Sequence, residues 1–410
     1  MSITTRDAAG VLDTPLALRS GATIKNRLVK AAMSEQLASV TGAPTQTLER
    51  LYARWARGGA GMLITGNVMI DRRSIGEARN VVVEDERDLP ALRRWAAAAK
   101  AGGATAIVQI NHPGRQSFIG LSSRVVAPSA VASHHPGAAK PRALTGEEIL
   151  ELIARFAETA RIVVEAGFDC VELHGAHGYL ISQFLSPAAN QRDDEWGGDA
   201  ERRRRFLLEV TRAVRVAIGP DKILAIKLNL ADFQRGGFTE QESLDVIAQL
   251  DAENIDVLEI SGGTYESPAM SGSAAESTRR REAYFLEFAE AVREITTVPL
   301  MVTGGFRSGA GMSESITTGA TDLVGLARPL ALEPELPSAL IRKPGSTHSA
   351  FHLKPLGVKQ LDTAAELWWT QYQLRRIGMG KDPNPSYRIR RALLSALSSN
   401  GINTLRRRRG

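Results

Sequence analysis

Cysteine is nearly absent: Cys170 is the only one in 410 residues. A lone thiol excludes an intrachain disulfide, a cysteine-ligated iron–sulfur cluster and a structural cysteine zinc site. Long apolar runs are missing as well. None approaches the ~18 residues that read as a membrane span, and the opening stretch MSITTRDAAG carries no apolar signal segment. A cytoplasmic protein without a membrane partner is the expectation. Aromatic residues are sparse at 5%, yet hydrophobic residues reach 43% and charged residues 23%, a balance typical of folded globular chains. The formal charge of +6 falls to +2 once the four arginines at 406–409 are set aside, and those at 202–205 follow Asp193, Asp194, Glu195, Asp199 and Glu201. No nucleic-acid motif accompanies either run, so no nucleic-acid partner is expected.

Short aliphatic runs alternate with amphipathic segments. The runs at 28–33, 62–70, 105–110, 169–173, 223–228, 257–260, 300–303 and 322–326 read as strands. The segments near 45–57, 88–101, 145–165, 199–217, 239–252, 279–295, 308–318 and 333–342 read as helices. Strands apolar on both faces and separated by helices make a parallel sheet of βα units. Eight such units predict an α/β fold, a (β/α)8 TIM barrel over 1–345, followed by a short helical C-terminal extension over 346–410 with a basic tail. An open doubly wound sheet is the alternative, but its Gly-x-Gly-x-x-Gly turn is absent after the first strand. Thr145-Gly-Glu-Glu148 and Thr239-Glu-Gln-Glu242 have the hydroxyl–carboxylate spacing of capping boxes, and Ala166-Gly167 breaks the first helix. Two connections, 111–144 and 174–198, are too long for plain turns. Both follow C-terminal strand ends, where barrel enzymes keep their chemistry, and are expected to cover the active site. In the extension, Leu361, Ala365, Trp368 and Tyr372 fall at helical spacing, a face expected to pack on the barrel or on a partner subunit in a homo-oligomer.

The densest chemical segment runs from Glu172 to Pro187. His174 and His177 are spaced to donate hydrogen bonds to one oxygen, polarising a carbonyl or nitro group, and Tyr179 to supply a proton. A zinc site would need a third ligand, and none stands at a plausible spacing, so no metal is expected. Thr303-Gly-Gly-Phe-Arg307 and Gly325-Leu-Ala-Arg328 follow the seventh and eighth strands, where this kind of barrel binds phosphate. Gln109, ending strand three, offers an amide to a heterocycle edge. Lys227 interrupts an apolar strand and needs an anion or an ion pair within the barrel. Cys170 reads as an inert core residue.

Taken in order, Asn26-Arg-Leu-Val-Lys-Ala-Ala-Met-Ser34, Val108-Gln-Ile-Asn-His-Pro-Gly-Arg115, the His174/His177/Tyr179 segment, Ser186-Pro with Asn190, Arg192, Gly197 and Gly198, and Val302-Thr-Gly-Gly-Phe-Arg307 resemble the old yellow enzyme family of FMN-dependent ene-reductases. The resemblance covers about 12–342. It implies a barrel holding FMN and reduced by NADPH or NADH, with an activated alkene as the small-molecule substrate. By the same resemblance Ala32, Met33 and Ser34 line the flavin, and Gly66 and Gln109 contact it. Lys227 favours its anionic reduced form, and Gly304, Gly305, Arg307 and Arg328 belong to the phosphate region. His174 and His177 then hold the substrate oxygen and Tyr179 protonates the α-carbon. Ala32 stands where proline is frequent, Ser34 for threonine or cysteine, Lys227 for arginine, Trp196 for tyrosine and Asn111 for an aromatic residue. The single cysteine sets the chain apart from relatives that add an iron–sulfur cluster. Two other functions share some of these features. One is a barrel lyase or aldolase with Lys227 as a Schiff-base amine; the other is a non-catalytic flavin-binding module.

Overall fold

The computed structural model describes residues 10–135, 137–261, 288–306, 308–343, 345–347, 359–389 and 392. Eight parallel strands surround one axis: β1 (Leu28–Lys30), β2 (Met62–Ile64), β3 (Thr105–Asn111), β4 (Cys170–Gly175), β5 (Ile223–Asn229), β6 (Val257–Ser261), β7 (Leu300–Thr303) and β8 (Leu323–Leu326). Each pairs with the next, and β8 returns to β1 through Val324↔Leu28, Gly325↔Val29 and Leu326↔Lys30. That last pairing closes the barrel.

Strand alternation sorts the side chains into two environments. Val29, Met62, Ile64, Ile107, Cys170, Ile223, Ala225, Val257, Met301 and Leu323 form one apolar cluster inside the barrel. Leu18 and Ile24, from the hairpin that pairs Leu16–Ala17 with Thr23–Ile24, join that cluster. Two residues further along the same strand faces stand Gln109, Glu172, Lys227 and Glu259. Two further again stand Asn111, His174, Asn229 and Ser261. The lumen therefore has an apolar floor and a polar upper half. The opposite strand faces, including Leu28, Leu63, Val108, Val171, Ile226, Leu258, Val302 and Val324, bury against the helices. Between barrel and helices, Tyr52, Trp55, Trp95 and Phe168 meet edge to face at centroid separations of 5.2, 5.3 and 5.3 Å, each such pair worth about 1 kcal/mol beyond its buried area.

Helix Gly146–Glu165 starts with a reciprocal capping box: Thr145 Oγ1 accepts the Glu148 N–H at 3.2 Å while Glu148 accepts the Thr145 N–H at 3.0 Å. Thr239 and Glu242 do the same for helix Glu240–Ala252 at 3.3 and 2.9 Å. Gly167 follows the first helix at φ +100°. Several bounds differ from the sequence reading. The 28–33 run leaves the strand after Lys30, and the 62–70 run divides into β2 and the two-residue strand Val68–Met69. Gly66 causes that division. It lies so close to the chain after β1 that a Cβ would stand 2.0 Å from Glu35 Oε2 and 2.3 Å from the Met33 carbonyl. The long connections are not featureless: Val126–Ala127 pairs with Arg142–Ala143, and 174–198 contains the short helix Leu180–Leu185. The helix expected near 279–295 lies mostly outside the described residues, of which 288–293 are helical.

Helix Lys359–Gly378 packs along the first barrel helix, Gln46–Arg57. Their approach is close enough that a Cβ on Gly378 would stand 2.4 Å from the Thr47 carbonyl. Among its described side chains Ala365, Trp369, Gln371, Gln373, Leu374 and Ile377 are buried, so Ala365 belongs to the packed face but Trp369 replaces Trp368. Tyr372 is half-buried and stacks on Tyr387 at 3.8 Å. The side chain of Leu361 and the basic tail lie outside the described residues. No helix among the described residues is long and apolar enough to cross a membrane.

Candidate active site

At the C-terminal end of the barrel β4 delivers His174, and the turn beyond it delivers His177 and Tyr179. The rings of His174 and Tyr179 are 4.8 Å apart and those of His174 and His177 5.1 Å apart, both edge to face. His177 adopts φ +59°, a left-handed conformation that costs energy in a non-glycine residue. Two contacts hold it there: the Asn229 side chain accepts its backbone N–H at 3.2 Å, and Ser261 Oγ lies 2.7 Å from Nε2. His174 Nδ1 accepts the Ala176 N–H at 3.3 Å, which puts the proton of a neutral ring on Nε2. Burial holds both imidazoles well below their ordinary range, and the Lys227 charge adds to this for each. They are neutral donors at neutral pH.

Beneath them lie two acidic side chains and one ammonium. Lys227 Nζ donates to Glu259 at 2.7 Å with both side chains buried, and Gln109 Nε2 donates to Glu172 at 2.7 Å. Burial, then the negative charge of Glu259, push Glu172 well above the usual carboxylate range. Glu259 therefore pairs with Lys227, and Glu172 is the acid pushed towards its protonated form. Of the two explanations for Lys227, an ion pair within the barrel is the one present.

A second buried network lies behind β1 and β2. Glu35 accepts from the Gly66 N–H at 3.0 Å, from the Tyr52 hydroxyl, and from Lys30 Nζ at 3.5 Å. Lys30 also donates to the Ile64 carbonyl at 2.7 Å and sits 4.5 Å from the Trp55 ring centre. Burial lowers it to about 8 against the opposing pull of Glu35. The network ties Gly66 to the Ala32–Met33–Ser34 stretch, all three of them half-buried. Ser34 bonds to Glu77, whose enclosed carboxyl is raised to about 7, chiefly by burial.

The phosphate candidates are less united. Gly304 and Gly305 have φ of +96° and +86°, and the space before Gly304 is open, with nothing within 4 Å of a built Cβ. Arg328 opens a turn after β8, but its guanidinium reaches Glu366 on the C-terminal helix at 3.2 Å. Arg307 lies outside the described residues. Nor does any group of three His, Cys, Asp or Glu side chains among the described residues suit a metal ion.

Sequence reasoning passed over Glu35, Tyr52, Asn67, Glu77, Ser261 and Glu259. Ser261 and Asn67 stand at or just beyond C-terminal strand ends, which was signal enough to nominate them. Lys30, a charge inside an apolar run like Lys227, pointed to a buried acid such as Glu35. Nothing local marked Glu77.

Buried polar atoms test whether a flavin mononucleotide suits this mouth. Asn111 Nδ2 and Thr303 Oγ1, at the ends of β3 and β7, have no partner among the described residues. With the left-handed glycines after β7 and the open space at Gly304 they offer a donor, a hydroxyl and backbone for an anionic, hydrogen-bonding group, and the residues fit.

A parallel barrel with its polar side chains gathered at the C-terminal mouth defines an α/β-barrel enzyme. The sequence profile of the NADH:flavin oxidoreductase / NADH oxidase family matches residues 12–343, and the chain belongs to that family. An NADH-dependent flavin oxidoreductase of Hypocrea jecorina (strain QM6a) is 38% identical over 356 residues, covering 80% of this chain and 88% of the relative. Among solved structures, a 2-naphthoyl-CoA reductase in complex with 2-naphthoyl-CoA superposes with a TM-score of 0.79 at 25% identity, covering 90% of this chain and 58% of that one. An old yellow enzyme homologue from Zymomonas mobilis gives 0.70 at 24%, covering 83% and 95%. The protein is an FMN-dependent oxidoreductase that takes its electrons from NAD(P)H.

Proposed function

We propose that the chain reduces activated C=C bonds of α,β-unsaturated carbonyl or related compounds. The observation that carries this reading is the convergence of two neutral imidazoles and a phenol at the barrel mouth, with the His177 and Tyr179 rings 5.1 and 4.8 Å from the His174 ring by their centres. Bound FMN supplies hydride transfer from the nicotinamide to the alkene. Ala32, Met33, Ser34, Gly66 and Gln109 would line it, and Gly304, Gly305, Arg307 and Arg328 would meet its phosphate. Lys227 would act on it as half of the Glu259 ion pair rather than as a lone cation.

The chain's own groups do the rest. His174 donates from Nε2 to the substrate oxygen. The Ser261 contact occupies Nε2 of His177, so His177 donates from Nδ1 in the tautomer that receives the serine proton on Nε2. Both interactions grow as negative charge builds on that oxygen. Tyr179 gives its proton to the α-carbon. The lyase alternative needs a neutral Lys227 amine, whereas the Glu259 contact holds an ammonium. Tyr179→Phe tests the proposal: alkene reduction should slow by about 10²–10⁴-fold while nicotinamide oxidation persists. An unchanged alkene rate sinks the assignment of the proton donor.

A further inference from the structure

A side-chain amide looks alike from either end until a neighbour of fixed polarity orients it. Two side-chain amides and a phenol beside the active site are oriented in that way. The Glu77 backbone N–H can only donate, and Asn80 Oδ1 accepts it at 2.7 Å. Asn80 must then present Nδ2 to its other neighbour, and it donates to Asn67 Oδ1 at 3.0 Å. Asn67 in turn is left to present Nδ2, which donates to the Tyr179 hydroxyl oxygen at 3.3 Å. Asn67 and Asn80 are both buried, at 9% and 5% exposure, so water does not compete freely for these bonds. The polarity of the whole chain follows from one backbone N–H.

The consequence falls on Tyr179. A phenol oxygen that accepts from Asn67 directs its own O–H away from Asn67. The same N–H then faces the oxygen when it becomes negative, and a hydrogen bond to a charged acceptor is stronger than one to a neutral one. We propose that Asn67, aimed by Asn80 and the Glu77 backbone, is a positioning residue that prepares Tyr179 to give up its proton. The proposal rests on Tyr179 being the proton donor. In that step the Tyr179 O–H bond breaks and a C–H bond forms at the α-carbon, using the electron pair released from the C=C bond as the β-carbon takes hydride. NAD(P)H is the ultimate source of that hydride. The tyrosinate regains its proton from solvent.

Other titratable groups stand on the elements around the phenol: His174, whose ring meets it at 4.8 Å, and His177 on its own segment, Glu77 after β2, Lys227 on β5, and His112, whose carbonyl accepts the Leu180 N–H at 3.0 Å. The test therefore reads Tyr179 itself. In holoenzyme labelled with ¹³Cζ-tyrosine, the Tyr179 resonance is assigned by its loss in Tyr179→Phe and titrated in Asn67→Leu and Asn67→Asp. Leucine removes the donor at nearly equal volume; aspartate reverses its polarity. The Tyr179 midpoint should rise by about one unit in Asn67→Leu and further in Asn67→Asp, one unit being tenfold in equilibrium. Reoxidation of the reduced holoenzyme by 2-cyclohexenone should slow by roughly tenfold relative to its reduction by NADH. In the Tyr179→Phe background Asn67→Leu should add nothing. A Tyr179 midpoint unmoved by Asn67→Leu, with Tyr179→Phe still impaired, overturns the proposal alone. A Tyr179→Phe variant at the parental enone rate overturns the donor reading, and the proposal with it.

Discussion

Glu172 and Glu259 differ by what each is asked to hold. Glu259 pairs with the Lys227 ammonium, whereas Glu172 beside it is pushed towards its protonated form. Glu259→Gln should cost about 3–5 kcal/mol, because it leaves a buried charge unpaired. Glu172→Gln replaces a neutral acid by an isosteric amide and should cost less than about 1 kcal/mol. Urea unfolding of the two variants checks the contrast, and equal costs would remove the protonated-Glu172 assignment. At this scale the sequence exposed the residues whose chemistry is local. Two histidines and a tyrosine within six positions announce themselves. Glu259 did not, because its partner Lys227 lies on the neighbouring strand and meets it only through the register of β5 and β6. Glu35 stands close to Lys30 in sequence, but its bonds to Tyr52 and Gly66 form only once the chain folds. Gln109 was legible as a polar strand end, but its bond to Glu172 was not, since that depends on the register of β3 and β4.

Helix starts are where local chemistry decides the element. The reciprocal bonds at Thr145 and Thr239 each satisfy donors that the first helical turn leaves orphaned. Thr145→Ala and Thr239→Ala should each destabilise by about 1 kcal/mol, additively since the helices are separate; thermal unfolding of both and of the double variant measures this. These starts could be read because a capping box spans four residues. Strand ends were read less well. The break at Gly66 arises from its contact with Glu35 and Met33 across the barrel wall, which no window of neighbouring residues contains. The face of helix Lys359–Gly378 was misjudged by one position at Trp369 for the same reason: packing on the Gln46–Arg57 helix, not periodicity alone, selects it.

The closed barrel was legible because eight two-sided apolar runs alternate with helices, and few other folds bury a strand on both faces. Its pH response belongs to the whole molecule. Burial lowers His112 from 6.5 to about 4. A folded value below the unfolded one means stability that is complete above about pH 6.5 and lost as pH falls towards 4. For His112 alone the loss is on the order of 3 kcal/mol, and His174 and His177 act in the same sense. Glu77 and Glu172, raised by burial, act in the opposite one, so the comparison is between the parent and His112→Asn. The variant should lose less stability between pH 6.5 and 4; parallel pH curves would show that His112 titrates normally in the fold. Above these details stands the chemistry at the barrel mouth, and one reaction probes it. The holoenzyme is reduced anaerobically with NADH or NADPH, freed of nicotinamide and mixed with 2-cyclohexenone in D₂O. The flavin should reoxidise with formation of cyclohexanone carrying deuterium at the α-carbon, and Tyr179→Phe should slow that step. Reduced flavin that persists with the enone and with nitroalkenes, yet reoxidises in air, would contradict alkene reduction and leave an NAD(P)H oxidase.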